Sequence, residues 1–190
     1  MKMRTIAVTG FLAACLLTTS TVPAGEATAT KPKKPTGYAE VPFGATEKDV
    51  REKLNLTDEW DCMDLHDVRH CSTQFVLGDY AVMVTLDLID DRFGRIIMTF
   101  PTSEFDLMKT TFVEKYGQPH SSSTVPIRTR ANVPYRNAVL RWKWSDVDST
   151  LERFGESVDR GRASITTSEF RDALKTLAER AKKKAKDAPF

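Results

Sequence analysis

The chain has 190 residues, of which 41% are hydrophobic and 28% are charged. This composition is typical of an ordinary globular protein, and the length suits one domain or two small ones. The formal net charge of +2 gives no reason to expect a nucleic-acid partner.

The first 24 residues have the order of a secretory signal peptide. The basic start MKMR precedes the uncharged apolar run TIAVTGFLAACLLTT and a V-x-A cleavage site at Val22-Pro23-Ala24. The apolar run is shorter than the roughly 20 residues of a membrane span, so we expect no transmembrane span. Loss of Lys2 and Arg4 with the signal lowers the 28 basic residues to 26, equal to the 26 acidic residues. The sequence therefore predicts a periplasmic or secreted protein without net charge.

A second interpretation of this segment concerns Cys15. The sequence LAAC, which ends at Cys15, resembles the bacterial lipobox, in which the cysteine is lipidated. The apolar region continues through Leu16 and Leu17, however, whereas a lipobox cysteine usually ends it. A lipid anchor at Cys15 and a free exported protein both stay open.

Residues 25–37, GEATATKPKKPTG, have nothing to bury and predict a flexible linker. A single domain is predicted over 38–187. Within it, Thr46 followed by Asp49 predicts the N-cap of a short helix over 47–54. Strands are then predicted in STQFVL, YAVMVTLDLID and RFGRIIMTF, because apolar residues alternate in the last two segments.

The clearest helix follows Ser103 and ends at Gly117, with an apolar stripe at helical spacing: Phe105, Met108, Phe112 and Tyr116. Residues 120–136 lack periodicity and are rich in Ser, Pro and Asn, so they predict a long loop. AVLRWKW predicts a strand, a hairpin is predicted around Gly161, and 169–186 predict a closing amphipathic helix.

The predicted order, α-βββ-α-βββ-α, is typical of an α+β fold with antiparallel strands and helices packed on one face. The order suggests a tandem α-βββ repeat with sub-repeats at 43–100 and 103–168. The segments VPFGATEKDVREKL, GRIIMTF and LMKTTFVEKYGQP, followed by a strand with tryptophan, resemble a pattern of small exported bacterial proteins. Their order is similar to the tandem architecture of the beta-lactamase-inhibitor-protein-like fold. The resemblance implies a protein that binds other proteins and does not catalyse.

The stretch DEWDCMDLHDVRHC, residues 58–71, collects two cysteines, two histidines and five acidic residues. Cys62 and Cys71 are the two cysteines left after the signal is removed, and export favours a structural disulfide between them. A continuous helix would separate their Cα atoms by about 13.5 Å, whereas a disulfide requires less than about 7 Å. We therefore expect a loop or hairpin here.

Other interpretations of this stretch are a metal site and an enzyme. Cys62, His66 and His70 would lie along one helix face, but structural zinc sites normally draw ligand pairs from two separated segments. The aspartates recur every three residues, whereas a calcium loop has acids two apart. A hydrolase using the acidic residues of 58–67 is the enzymatic alternative. No catalytic residue, metal or cofactor is predicted.

Arginine and aromatic residues, which are enriched in interface hot spots, cluster in the second half of the chain. The alternative is that the tryptophans are core residues and the arginines are solvated. We predict an exported non-enzymatic protein-binding module of the inhibitor, immunity or envelope-assembly kind, with another envelope or secreted protein as its partner. No oligomeric state follows from the sequence. The predicted contact residues come from both charged segments: Asp58, Asp61, Asp64, Asp67, Arg128, Arg130, Tyr135 and Arg136.

Overall fold

The structure, a computed structural model, describes four ranges of the chain: 33–54, 60–77, 80–129 and 132–187. The predicted signal peptide with Cys15, and most of the predicted linker, lie outside these residues. No helix in the described part of the chain is long and apolar enough to cross a membrane.

The described strands are β1 (Gly37–Tyr38), β2 (Val41–Pro42), β3 (Asp61–Leu65), β4 (Val68–Leu77), β5 (Tyr80–Ile89), β6 (Arg92–Pro101), β7 (Ser121–Arg128), β8 (Pro134–Lys143), β9 (Val147–Ser157) and β10 (Arg160–Thr167). The helices are α1 (Glu47–Lys53), α2 (Phe105–Tyr116) and α3 (Ser168–Asp187), and a 3-10 turn (Thr102–Glu104) precedes α2.

Eight strands form one sheet in the order β3-β4-β5-β6-β10-β9-β8-β7, while β1 and β2 form a separate hairpin. All pairs are antiparallel, so β3 to β6 make one meander and β7 to β10 make another. The meanders join in the middle, where β6 pairs with β10. Consequently β3 and β7 are the two edges of the sheet.

The predicted α+β fold with helices packed on one face is wrong. The described residues are largely β, with 52% in strands and 29% in helices. The segment 120–136, predicted as a long loop, forms β7 and the start of β8, and the acidic stretch forms β3 and the start of β4. Most residues of β3 and β7 are exposed, so neither strand has a buried face that would impose an apolar period of two, which is why periodicity misses them.

Alternation along the strands gives the sheet two faces. We call the core face the one that carries a row of directly paired residues across seven strands: Cys62, Cys71, Leu86, Ile96, Ile165, Ser149 and Trp142. Val50 of α1 and Phe112 of α2 belong to the same buried cluster as this row. The outer face is the opposite side of the sheet.

Helix α2 confirms the predicted apolar stripe, since Phe105, Met108, Phe112 and Tyr116 are all buried. The Phe112 ring lies 5.7 Å from that of Trp142. Gly117 ends the helix with φ +78°, a conformation that favours glycine, and its carbonyl accepts a 2.8 Å hydrogen bond from Trp142 Nε1. The helix end is therefore fixed to the centre of the core.

Helix α3 packs on the outer face, against the prediction that all helices share one face. Phe170 is buried with Val68 and Ile89 in a second cluster, separate from the main core. The Arg95 guanidinium lies 5.0 Å from the centre of the Phe170 ring. Beyond Leu177 the described part of the helix is exposed, so α3 covers only one end of the outer face.

Candidate functional site

The acidic stretch folds as a tight β-hairpin at one edge of the sheet. Strands β3 and β4 are joined by the two-residue turn His66-Asp67, whose φ values are +52° and +61°. Two consecutive positive φ angles are the signature of a type I′ turn, the turn that matches the twist of paired strands. The prediction of a loop or hairpin is therefore confirmed as a hairpin.

The predicted disulfide is also confirmed, because Cys62 and Cys71 are directly opposite on β3 and β4 and are bonded to each other. Their Cα atoms are 4.1 Å apart. Glu47 lies close to both sulfurs. Since the sulfurs form a disulfide, they offer no thiolate to a metal ion at this position.

The aspartates of the hairpin point to solvent. Asp61, Asp64 and Asp67 are exposed, whereas the predicted contact residue Asp58 lies outside the described residues. Arg69 Nη1 donates to Asp64 Oδ2 and Arg69 Nε donates to Glu47 Oε2, both at 2.9 Å. This arginine ties β4, β3 and α1 together and sets the orientation of the hairpin.

Glu47 is the centre of this ion-pair network. Its partial burial alone would raise its pKa, but hydrogen bonds from Arg51 and Arg69 outweigh that effect and hold the pKa of Glu47 below its ordinary value. The carboxylate is therefore charged at neutral pH. The backbone N–H of Glu47 also donates to Asp91 Oδ1 at 2.8 Å, which fixes the β5–β6 turn beside the hairpin.

The two neighbouring turns and the start of α1 enclose an open groove of about 590 Å³. Its lining holds five carboxylates and only one guanidinium, that of Arg69, which is already paired. The lining residues are Glu47, Asp64, His66, Asp67, Arg69, Leu88, Asp90 and Asp91. We call this the acidic groove.

The predicted basic segment lies at the opposite edge, on β7 and β8. Arg128 Nη1 donates to the backbone and side-chain oxygens of Asn132 at 3.2 and 3.0 Å. Arg128 and Arg136 point to the core-face side of the sheet, whereas Tyr135 points to the outer face, where its ring lies 5.5 Å from that of Phe154. Arg130 lies outside the described residues.

The structure therefore does not bring the two predicted contact segments together. Seven inter-strand spacings of about 4.8 Å separate β3 from β7, which places them roughly 30 Å apart before twist is considered. A single small partner cannot be expected to contact both edges at once.

Sequence reasoning missed a buried network on the outer face. Asp87 of β5 is fully buried, and its carboxylate accepts hydrogen bonds from Arg95 Nε at 2.5 Å and from His70 Nδ1 at 2.6 Å. The three residues come from three adjacent strands. A lone aspartate between Leu86 and Leu88 in an apolar strand was the available signal.

This network positions an imidazole, since His70 is held through Nδ1 and is about a quarter exposed. The nearest hydroxyls along the same face, Ser72 and Thr85, bond to each other at 2.9 Å. Arg95 also lies over the Phe170 ring, so the same carboxylate helps to hold α3 on the sheet. These contacts join β4, β5 and β6 on the outer face and hold α3 against it.

The fold and these contacts define an antiparallel-sheet protein with a disulfide-clipped acidic hairpin at one edge. A family model described as "Uncharacterised protein" matches residues 38–165, more than half of the chain, and the chain belongs to that family. No curated protein matches the sequence. Among solved structures, a cysteine-rich secretory protein from Staphylococcus aureus subsp. aureus Mu50 is similar, with a TM-score of 0.37 and 11% identity. The match covers 73% of this chain and 46% of that one, so this chain spans about half of its length.

Proposed function

We propose that this protein is an exported, non-enzymatic protein-binding module that works in the periplasm or outside the cell. The observation that carries the proposal is the acidic hairpin itself. Its charged side chains are exposed on a strand pair held by a disulfide, a type I′ turn and the Arg69 ion pairs. A surface ordered before binding loses less conformational entropy when a partner arrives.

The disulfide supports the proposed location, because such bonds persist in oxidising compartments. The exposure of the aspartates supports binding over hydrolysis. Asp61 and Asp64 are both exposed, and Asp64 is paired with Arg69. Carboxylic acids that catalyse hydrolysis are usually placed in an environment that separates their protonation states.

The charge of the acidic groove favours a partner with a basic surface. Complementary charges raise association rates and select the partner more than they add to affinity. The matching experiment uses full-length protein expressed in its own cell envelope with a photo-crosslinking residue in place of Asp61. We expect one crosslinked protein that recurs between preparations, and its recovery should fall when Asp64 and Asp67 are both replaced by Lys.

The control replaces Glu114 and Glu156 with Lys, which changes the net charge equally at exposed positions away from the hairpin. It should leave the crosslink unchanged. An equal loss of the crosslinked protein in both double variants would show that recovery depends on net charge and not on the hairpin. If the protein cleaves a chromogenic substrate and Asp64→Lys/Asp67→Lys does not, the hydrolase would be the function and the binding proposal would be wrong.

A further inference from the structure

In the part of the chain that the structure describes, the free edge of β3 has unpaired backbone groups at two positions, Cys62 and Asp64. In a two-residue hairpin the pair next to the turn, Leu65 with Val68, exchanges both hydrogen bonds, and the pairs then alternate. Asp64 with Arg69 and Cys62 with Cys71 are therefore the non-hydrogen-bonded pairs. The 4.1 Å between the cysteine Cα atoms agrees, because non-bonded pairs are the closer ones.

Residues in such pairs direct their N–H and C=O away from the partner strand. Cys62 and Asp64 thus present two donors and two acceptors at the edge, spaced as a further strand requires. Among the described residues, β4 is the only strand paired with β3. Exposed edges of this kind serve as templates for strand addition.

The two sides of this edge differ in chemistry. On the outer face, Met63 and Leu65 are 54% and 51% exposed, although large apolar side chains at an edge are usually avoided. On the core-face side, the Asp64 side chain is 70% exposed and adjoins the acidic groove. A strand lying beside β3 would meet Met63 and Leu65, with Asp61 at the start of β3, on the outer face. On the core-face side it would meet Asp64 and the acidic groove.

The other edge of the sheet differs in its backbone donors, although Val125 of β7 is also 40% exposed. β7 carries Pro126, which has no N–H to donate, and its serines Ser121 to Ser123 are exposed and polar. The β7 edge therefore contains a residue that cannot donate to a further strand, while β3 has no proline, exposes Met63 and Leu65 and is fixed to β4 by a disulfide.

We propose that β3 binds an extended segment of another exported protein by strand addition, and that this segment alternates apolar residues with Lys or Arg. The proposal rests on the proposed function and specifies the partner's chemistry and the binding mode. The apolar residues would cover Met63 and Leu65, and the basic residues would face Asp64 and the acidic groove. Backbone hydrogen bonds to Cys62 and Asp64 would set the register.

The test uses the oxidised protein and a capped synthetic octapeptide of alternating Val and Lys. By NMR, amide exchange of Cys62 and Asp64 should slow at least tenfold at saturation. A peptide N-methylated on the edge-facing amides should bind at least tenfold more weakly, and a Val-Glu peptide should not bind. Equal affinity for the N-methylated or the Val-Glu peptide, or slowed exchange at other residues only, would overturn the proposal.

Variants at one position separate charge from backbone pairing. Asp64→Ala keeps the outward N–H and removes the carboxylate, whereas Asp64→Pro removes both, and Pro is tolerated where the N–H faces solvent. We expect Asp64→Pro to lower the affinity for the Val-Lys peptide at least tenfold more than Asp64→Ala does. Disulfide mass and thermal unfolding confirm that each variant is folded. Equal affinities of the two folded variants would contradict strand addition.

Two further outcomes are informative. Concentration-dependent protection of Cys62 and Asp64 in protein without peptide would identify a second copy of the chain as the occupant and overturn the choice of partner. A recurrent crosslinked partner whose binding leaves these amides unprotected would overturn strand addition and keep the protein-binding function.

Discussion

The buried carboxylate of Asp87 allows a quantitative test of the outer-face network. Arg95→Met keeps an unbranched side chain against Phe170 but removes the guanidinium whose Nε donates at 2.5 Å. Asp87 is fully buried, so its charge would retain only the bond from His70. Removing one partner of a buried ion pair costs about 3–5 kcal/mol, and we expect Arg95→Met to fall in that range.

Neutralising the carboxylate should recover much of this loss. Asp87→Asn leaves Arg95 with one fifth of its side chain exposed and able to reach water, so this single change should cost about 1–3 kcal/mol. In the double variant no uncompensated charge is buried. We expect the double variant to be more stable than Arg95→Met alone, with a coupling of at least about 1 kcal/mol.

Urea unfolding at pH 7, followed by tryptophan fluorescence and by circular dichroism, measures the three variants against the parent protein. The slope of free energy with urea should stay constant, so that the midpoints report stability. Additive losses in the double variant, or a cost of Arg95→Met below about 1 kcal/mol, would refute the view that Asp87 is a charged, desolvated centre.

Three further results are expected. Cys62→Ala/Cys71→Ala opens a ten-residue loop and should lower the free energy of unfolding by about 2.7 kcal/mol, as measured by urea unfolding; an unchanged midpoint would contradict the clip. The lowered pKa of Glu47 contributes stability that is present above the unfolded value of about 4.3 and is lost as pH falls through the folded pKa. Thermal unfolding between pH 6 and 3 should therefore show a smaller loss in Glu47→Gln than in the parent. Burial raises the pKa of Tyr116 to about 12. The stability that the neutral phenol contributes is therefore fully present below about pH 10 and is lost as the pH rises to about 12. An ultraviolet titration should show a late tyrosine transition that Tyr116→Phe lacks.

Local signals predicted most of the helical structure. The capping box of α1 is present, with Thr46 Oγ accepting from Asp49 N–H and Asp49 accepting from Thr46 N–H. The stripe of α2 and the extent of α3 also follow from spacing within one segment. The Cys62–Cys71 bridge was predictable for a different reason, since predicted export and the cysteine count left one pairing.

Edge strands were harder to predict. A strand that is solvated on both faces has no buried side to impose a period of two, as the exposed residues of β7 show. Sequence reasoning therefore turned β7 into a loop, and the wrong fold class followed from the shortened strand count. Pairing across the sheet gives such strands their structure, and pairing is not a local property.

The Asp87 network shows a second kind of limit. His70, Asp87 and Arg95 meet because β4, β5 and β6 pair in one particular register. A shift of one residue would send one of the three side chains to the other face. The aspartate within an apolar strand indicates that a partner is needed, but only the register identifies it.

The difference between the two edges of the sheet suggests a role for the disulfide beyond stability. If the Cys62–Cys71 disulfide served stability alone, it could join any exposed pair of strands, including a pair at the β7 edge that contains Pro126. It instead closes the edge strand that keeps Met63 and Leu65 exposed and lacks proline. A covalent clip opposite an open edge keeps the outward groups of β3 in register without blocking them. Under the proposed strand addition, the cysteines of this stretch hold the edge in place, and the aspartates select the strand that joins it.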